Sequence, residues 1–196
     1  MRITREAVTI CNLKGNVDMR LAFKIILGAC LLMAAPSAEA GPAPKNIALA
    51  KLALVNIHIE RIWKYMNDKG IDAAAESGEI SAARAAKVKK SVNTSFTKAV
   101  PGLIDKVAAT VAPKYSLDQL ANIERLSEVP AYQAQIANLA INAAAPDMSK
   151  VSPEDKSLMT ELADQDYVNG FVVDAIQSKA MDATVKRLIK QAFAAK

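Results

Sequence analysis

Apolar residues recur along most of this chain at alternating intervals of three and four, which is the spacing of helices that bury one face. The clearest run predicts a first helix over Asn46–Asn67. Its stripe keeps a 4-3-4-3-4 spacing and consists of Ala48, Leu52, Val55, Ile59, Ile62 and Met66. Gly70 is a typical helix stop, so a loop or short turn is predicted over Ile71–Glu79.

A second helix is predicted over Ile80–Val100, with Val88, Val92, Phe96 and Ala99 facing inward. The next residue, Pro101, lacks an amide hydrogen. The pattern therefore predicts either a kink there or a new helix over residues 102–112.

Capping residues mark the later helix starts. Ser116-Leu117-Asp118-Gln119 is a capping box, in which the serine and glutamine side chains satisfy free backbone amides at a helix start. Pro130 begins or kinks the next stretch, which is predicted to run to Ala145 with Ile136, Leu139 and Ala140 buried. Ser152, followed by a proline and two acids, predicts another start.

From there, helix is predicted to continue to the C-terminus, with a break near Asp164–Asp166. Its last part carries one apolar stripe, formed by Val185, Leu188, Ile189, Ala192 and Phe193. We expect this stripe to dock on the rest of the domain, because a lone short helix is marginal in water. The alternative is that it lies on an anionic membrane surface.

Composition points to the same fold class. Alanine, the best helix former, supplies 30 of the residues after position 40, and alternating strand patterns are almost absent. We expect an all-α protein, with residues 46–196 forming a single-domain helical bundle of about five to seven helices. An extended leader over residues 41–45 precedes the bundle.

Residues 19–40 have the pattern of a cleavable secretory signal peptide. Arg20 and Lys24 supply its positive start, Ile25–Ala35 its apolar run, and Ala38-Glu39-Ala40 its cleavage site. Since Met19 opens a complete signal, residues 1–18 are interpreted as a mis-assigned upstream extension. The predicted location of the mature protein is the periplasm.

A second interpretation of this region is a lipoprotein, because Leu27-Gly28-Ala29-Cys30 fits a lipidation box. We favour ordinary cleavage, since the apolar run continues past Cys30. Both cysteines then fall in the removed part, so the mature chain has no disulfide. Its net charge falls from +5 to +3, which is too small an excess to predict a nucleic-acid partner.

The stretch Leu103–Ile141 resembles a family of exported bacterial helical proteins that carry a domain of unknown function. The family motif is an aromatic-[Ser/Thr]-x-x-[Glu/Gln]-Leu helix start followed by a Ser-Pro-x-Gly type turn. Residues Tyr115–Leu120 match its first part, and Leu126–Tyr132 match the second at the proline and apolar positions. The resemblance implies a helical fold and export, and it transfers no activity.

Catalytic chemistry has little support in the sequence. The single histidine, His58, lacks a nucleophile beside it, and we interpret it as a residue at the edge of the apolar stripe. The acids between Glu154 and Asp166 lack the ligand spacing of a calcium loop. Trp63 is expected to cap the core rather than to form a ligand-stacking wall. We predict no enzyme activity, no cofactor and no metal site.

Two basic segments are more suggestive, one in the second helix and one near the C-terminus. Their candidate contacts to an anionic surface are Arg84, Lys87, Lys90, Lys186, Arg187 and Lys190. We therefore expect a soluble, non-enzymatic protein that acts through contacts with an unknown protein or envelope component, including weak contact with a membrane surface. The alternative is a carrier that holds an apolar or lipid ligand between its alanine-rich helices.

Export gives the first testable prediction. N-terminal sequencing of the protein from a periplasmic extract should begin at Gly41. Lipidation at Cys30 would instead give an acylated fragment in the membrane fraction. Recovery of the unprocessed chain from the cytoplasm would contradict both forms of export.

Overall fold

Eight α-helices and two short 3-10 turns occupy most of residues 43–194, the part of the chain that our computed structural model describes. The helices are α1 Pro44–Asn56, α2 Ile59–Glu76, α3 Ala82–Val111, α4 Leu117–Ser127, α5 Pro130–Ile141, α6 Pro153–Leu162, α7 Asp166–Ile176 and α8 Lys179–Ala194. No strand occurs within this range. The all-α helical bundle is confirmed. The predicted upstream extension, signal peptide and Cys30 lie outside the described residues.

The predicted first helix is two helices, and its predicted leader is shorter because α1 already begins at Pro44. Between α1 and α2, His58 adopts the left-handed conformation with φ 53° and ψ 47°. Ile57 and Ile59 on either side of it are both buried. In a continuous helix these two side chains would point about 200° apart. The left-handed residue costs about 1–2 kcal/mol, and it allows both isoleucines to enter the core.

This break explains why the predicted stripe is wrong on α1. Leu52 is 49% exposed and Val55 is 44% exposed. The residues of α1 that are buried are Ala50, Ala53 and Leu54. On α2 the stripe is correct at Ile59 and Ile62, whereas Met66 is 42% exposed. The predicted stripe assumes one continuous helix. The break at His58 rotates the buried face of α1 relative to that of α2.

The predicted loop after Gly70 is also wrong, because α2 continues to Glu76. A Cβ atom at Gly70 would meet nothing within 4 Å, so this exposed glycine lies within the helix without a packing role. Ile71 after it is buried. The turn that ends α2 uses Gly78 instead, whose φ of 77° favours glycine.

Helix α3 is continuous for 30 residues, so Pro101 opens no new helix. The hydroxyl of Ser81 accepts a hydrogen bond from the backbone amide of Arg84 and caps its start. Of the four side chains predicted to face inward from its first half, Val88, Val92 and Phe96 are buried and Ala99 is half-buried. Residues 103–111 supply the buried side chains of its second half.

The predicted serine caps are confirmed. Ser116 Oγ accepts from Gln119 N at 3.2 Å, and Gln119 Oε1 accepts from Ser116 N at 2.9 Å. Ser152 Oγ accepts from the Asp155 amide at 3.0 Å at the start of α6. Pro130 is the first residue of α5. The predicted break near Asp164 is also present, between α6 and α7.

Helix α5 ends at Ile141, four residues before the predicted Ala145. Its predicted buried face is correct at Ile136 and wrong at Leu139, which is 65% exposed. Asn142 takes a left-handed conformation there, with φ 53°. A further break, at Gln177 and Ser178, separates α7 from α8, where the sequence predicts one helix.

Two groups of buried apolar side chains hold these helices together. The larger involves every helix, and its fully buried members include Trp63, Phe171, Leu54, Leu120 and Val107. The smaller joins the ends of α2, α3 and α8, and consists of Ile71, Ala85, Val88, Val92 and Ala192.

Trp63 belongs to the larger group and therefore lies in the core, as predicted. Helix α8 docks on α3, and Leu188 and Ala192 of its predicted stripe are buried. The stripe is wrong at Phe193, which is 39% exposed.

A polar contact fixes α7 to the turn before α4. The hydroxyl of Tyr115 donates to Asp174 Oδ2 at 2.7 Å, and Lys114 Nζ lies 2.8 Å from Asp174 Oδ1. The Tyr115 ring packs edge-on against Phe171, with ring centroids 5.7 Å apart. Burial, together with the hydrogen bond to Asp174, raises the pKa of Tyr115 above its usual range.

The rotation of the α1 stripe can be tested with two leucines that lie two positions apart. We expect Leu54→Ala to lower the free energy of unfolding by about 2–5 kcal/mol, because its side chain is wholly buried. Leu52→Ala should change it by about 0.5 kcal/mol or less, because nearly half of Leu52 is exposed. Urea denaturation of both variants measures the difference. Equal destabilisation would show that α1 buries a different face.

Candidate anion-binding face

The two predicted basic segments lie on neighbouring helices, α3 and α8, which pack directly against each other. They run in opposite directions: Arg84 near the start of α3 contacts Phe193 near the end of α8. At the other end, Lys106 lies beside Ala180 and Arg187. We call the exposed surface of this helix pair the α3–α8 face; the exposed cations of the two helices include Lys87, Lys90, Lys106, Lys186, Arg187 and Lys190.

Arg84 differs from the other predicted contacts, since it lies in the seam between the helices. Its Nη2 atom donates to the carbonyl oxygen of Phe193 at 2.8 Å. Its guanidinium carbon lies 5.7 Å from the centre of the Phe193 ring. A cation that bonds the last carbonyls of a helix stabilises that helix end. We infer that Arg84 holds α8 in place, and that it is not a free contact.

The remaining predicted cations are exposed, and most have no acidic neighbour. Lys186 Nζ forms an i,i+4 pair with Asp182 at 2.7 Å. Lys87, Lys90, Arg187 and Lys190 form no ion pair with any carboxylate of residues 43–194. Within the described part of the chain, no carboxylate therefore compensates these four positive charges.

The structure adds Lys106 to this face, a residue that the sequence did not single out. Together with Arg187 it borders an open depression of about 310 Å³, whose other lining residues are Ala180, Ala183 and Thr184. Lys106 follows Asp105, which in the sequence looks like its neutralising neighbour. In the structure Asp105 instead pairs with Lys51 of α1, at 2.6 Å.

A second depression lies between α2 and α5 and has a volume of about 230 Å³. Its apolar lining includes Ile57, Ile62, Pro130, Ala134, Ala137 and Ile141. The polar groups beside it are His58, Arg61 and Gln133. Like the first depression, it is open to solvent.

The single histidine lies at the break between α1 and α2, beside one carboxylate. His58 Nδ1 lies 3.5 Å from Glu60 Oε1, and nearly half of its side chain is exposed. Within residues 43–194 there is no group of three or more histidine, cysteine, aspartate or glutamate side chains that could hold a metal ion. In the same range no helix is both long and apolar enough to cross a membrane.

Comparisons of the chain with models of protein families, with curated proteins and with solved structures each found no match.

The different positions of Arg84 and Lys87 lead to different expected effects on stability. Arg84→Gln should lower the free energy of unfolding by about 1 kcal/mol, because it removes a charge-assisted hydrogen bond to a helix end. Lys87→Gln removes the same charge from an exposed position and should change stability by about 0.5 kcal/mol or less. Urea denaturation compares the two. Equal values would contradict the role of Arg84 in holding α8.

Proposed function

We propose that the mature chain is an exported, non-enzymatic helical protein of the bacterial periplasm that binds an anionic surface of the envelope through its α3–α8 face. The observation that carries this proposal is that Lys87, Lys90, Arg187 and Lys190 are exposed cations on two helices that pack against each other. They come from segments about a hundred residues apart in the sequence, and they share one helix pair without acidic partners among residues 43–194.

Packing favours contact through charge over insertion. Leu188 and Ala192 of the α8 stripe face the core, and Phe193 is its one exposed member, so most of the stripe is not available to enter a bilayer. Each basic residue near an anionic headgroup layer contributes about 1 kcal/mol. Exposed charges are screened over about 8 Å at physiological ionic strength, so binding should weaken strongly as salt is added.

Export is part of the proposal and rests on the sequence. Residues 19–40 have the charge, apolar run and cleavage site of a signal peptide. The resemblance of Leu103–Ile141 to a family of exported helical proteins supports the same location. It says nothing about the partner.

The carrier alternative has one structural observation in its favour, the mainly apolar depression between α2 and α5. A carrier should retain its ligand during gentle purification. Native mass spectrometry that shows a co-purified lipid on the mature chain would favour the carrier. A clean apo mass would favour the contact protein.

Vesicle co-sedimentation tests the α3–α8 face. The mature chain should sediment with vesicles rich in phosphatidylglycerol and not with neutral phosphatidylcholine vesicles. The double variant Lys87→Glu/Lys190→Glu should bind the anionic vesicles at least about tenfold more weakly, because two cations become anions. Adding salt should release the wild-type protein.

The matched control is Lys45→Glu/Lys156→Glu. Both lysines are exposed, lie on α1 and α6, and form no ion pair within residues 43–194. The net charge changes by the same amount, so only the location differs. Equal loss in the two double variants, or no binding by the wild-type chain at low salt, would contradict the proposed face.

A further inference from the structure

We propose that the depression between Lys106 and Arg187 is a subsite for a phosphomonoester group. This inference rests on the proposed function, since the depression belongs to the α3–α8 face. It goes further because it assigns a chemical class to the anion. The site would bind a terminal phosphate group more tightly than other anionic groups of the same charge.

The depression brings donors together from two helices. Lys106 projects from α3, and Arg187 and Thr184 project from α8. Between them, Ala180 and Ala183 present only methyl groups, which leave an open volume of about 310 Å³. A cation on each side of a recess lined by small side chains can hold an anion that neither helix could hold alone.

Both cations are available for a ligand. Neither Lys106 nor Arg187 forms an ion pair with a carboxylate of residues 43–194. The two nearest acids in the sequence are already paired: Asp105 with Lys51 at 2.6 Å, and Asp182 with Lys186 at 2.7 Å. An incoming anion therefore need not displace a protein carboxylate.

Thr184 provides an independent observation. The hydroxyls of the other four threonines in residues 43–194 each donate to the backbone carbonyl four residues earlier. These four are Thr94, Thr97, Thr110 and Thr160. The half-buried Thr184, which lines the depression, makes no such bond. Its hydroxyl is free to donate to a ligand.

The donor set fits a phosphomonoester better than other common anions. Such a group carries a charge of about −1.5 to −2 at pH 7 and three terminal oxygens that accept hydrogen bonds. An arginine fork, an ammonium and a hydroxyl arriving from different sides can each take one of them. A carboxylate offers two oxygens in one plane. A phosphodiester offers two terminal oxygens and a single charge.

Two sources supply this chemistry, a phosphomonoester lipid headgroup and a soluble phosphate. The mature chain is added to vesicles of phosphatidic acid and of phosphatidylglycerol, each in phosphatidylcholine and matched in measured surface charge. We expect about tenfold tighter binding to phosphatidic acid, because its terminal phosphate can fill the subsite. Titration calorimetry with inorganic phosphate then separates the sources: phosphate binding indicates a soluble ligand, and a lipid preference without it indicates a headgroup.

Two conservative variants test the residues. Thr184→Val keeps the shape and removes the hydroxyl, and Arg187→Lys keeps the charge and removes the fork. Thr184→Val should reduce the preference for phosphatidic acid and leave phosphatidylglycerol binding unchanged within about twofold. Arg187→Lys, which alters a cation of the α3–α8 face itself, should weaken binding to phosphatidic acid by a larger factor than binding to phosphatidylglycerol. Lys190→Gln, on the same face outside the depression, should weaken binding to both lipids alike. Thermal melting followed by circular dichroism checks that the variants are folded.

Different experimental results would contradict the proposed subsite and the proposed α3–α8 face. If the wild-type chain binds both charged vesicles equally and does not bind phosphate, the subsite is overturned and the proposed face stands. If it binds neither vesicle at low salt and does not bind phosphate, both are overturned. An unchanged lipid preference in Thr184→Val and Arg187→Lys would also overturn the assignment of the subsite to these residues.

Discussion

Both cores of the bundle depend on the continuity of α3. This helix spans 30 residues, or about 45 Å, and α1, α2 and α8 all pack against it. Val88 and Val92 of its first half belong to the smaller core, and Val107 and Val111 of its second half belong to the larger one. Pro101 lies between these halves, where a proline ordinarily costs about 3 kcal/mol in a helix. Pro101 lacks the amide hydrogen that would bond to the carbonyl of Thr97. Both residues are exposed, so this carbonyl can bond to water instead.

Features that depend on residues close together in the sequence could be predicted. Features that depend on contacts between distant residues could not. The caps at Ser116 and Ser152 depend on residues three positions apart, so they are readable from the sequence alone. The break at His58 is not readable in this way. It depends on Ile57 and Ile59 both being buried, and that requires the surfaces of other helices. Gly70 shows the converse, because the packing of Ile71 extends α2 past a residue that would end an isolated helix.

The candidate site shows the same difference between local and long-range interactions. The basic segments can be recognised in the sequence because charge runs are local, but the sequence does not show which cations are free. Arg84 is engaged by the end of α8, more than a hundred residues later in the chain. Lys106 was overlooked because Asp105 precedes it, and only the fold shows that Asp105 pairs with Lys51 of α1. Pairing between distant segments therefore decides the charge that a surface presents.

Because its cations come from two helices, the α3–α8 face exists only while α8 is docked. Releasing α8 would separate Arg187 and Lys190 from Lys87 and Lys106, and it would also expose Leu188 and Ala192. An anion that binds across both helices must therefore stabilise the docked state by the free energy of its binding. Mutual repulsion among the same cations acts in the opposite direction when no anion is bound. The buried stripe of α8, with Arg84 at its end, opposes that repulsion and keeps the face assembled before any partner arrives.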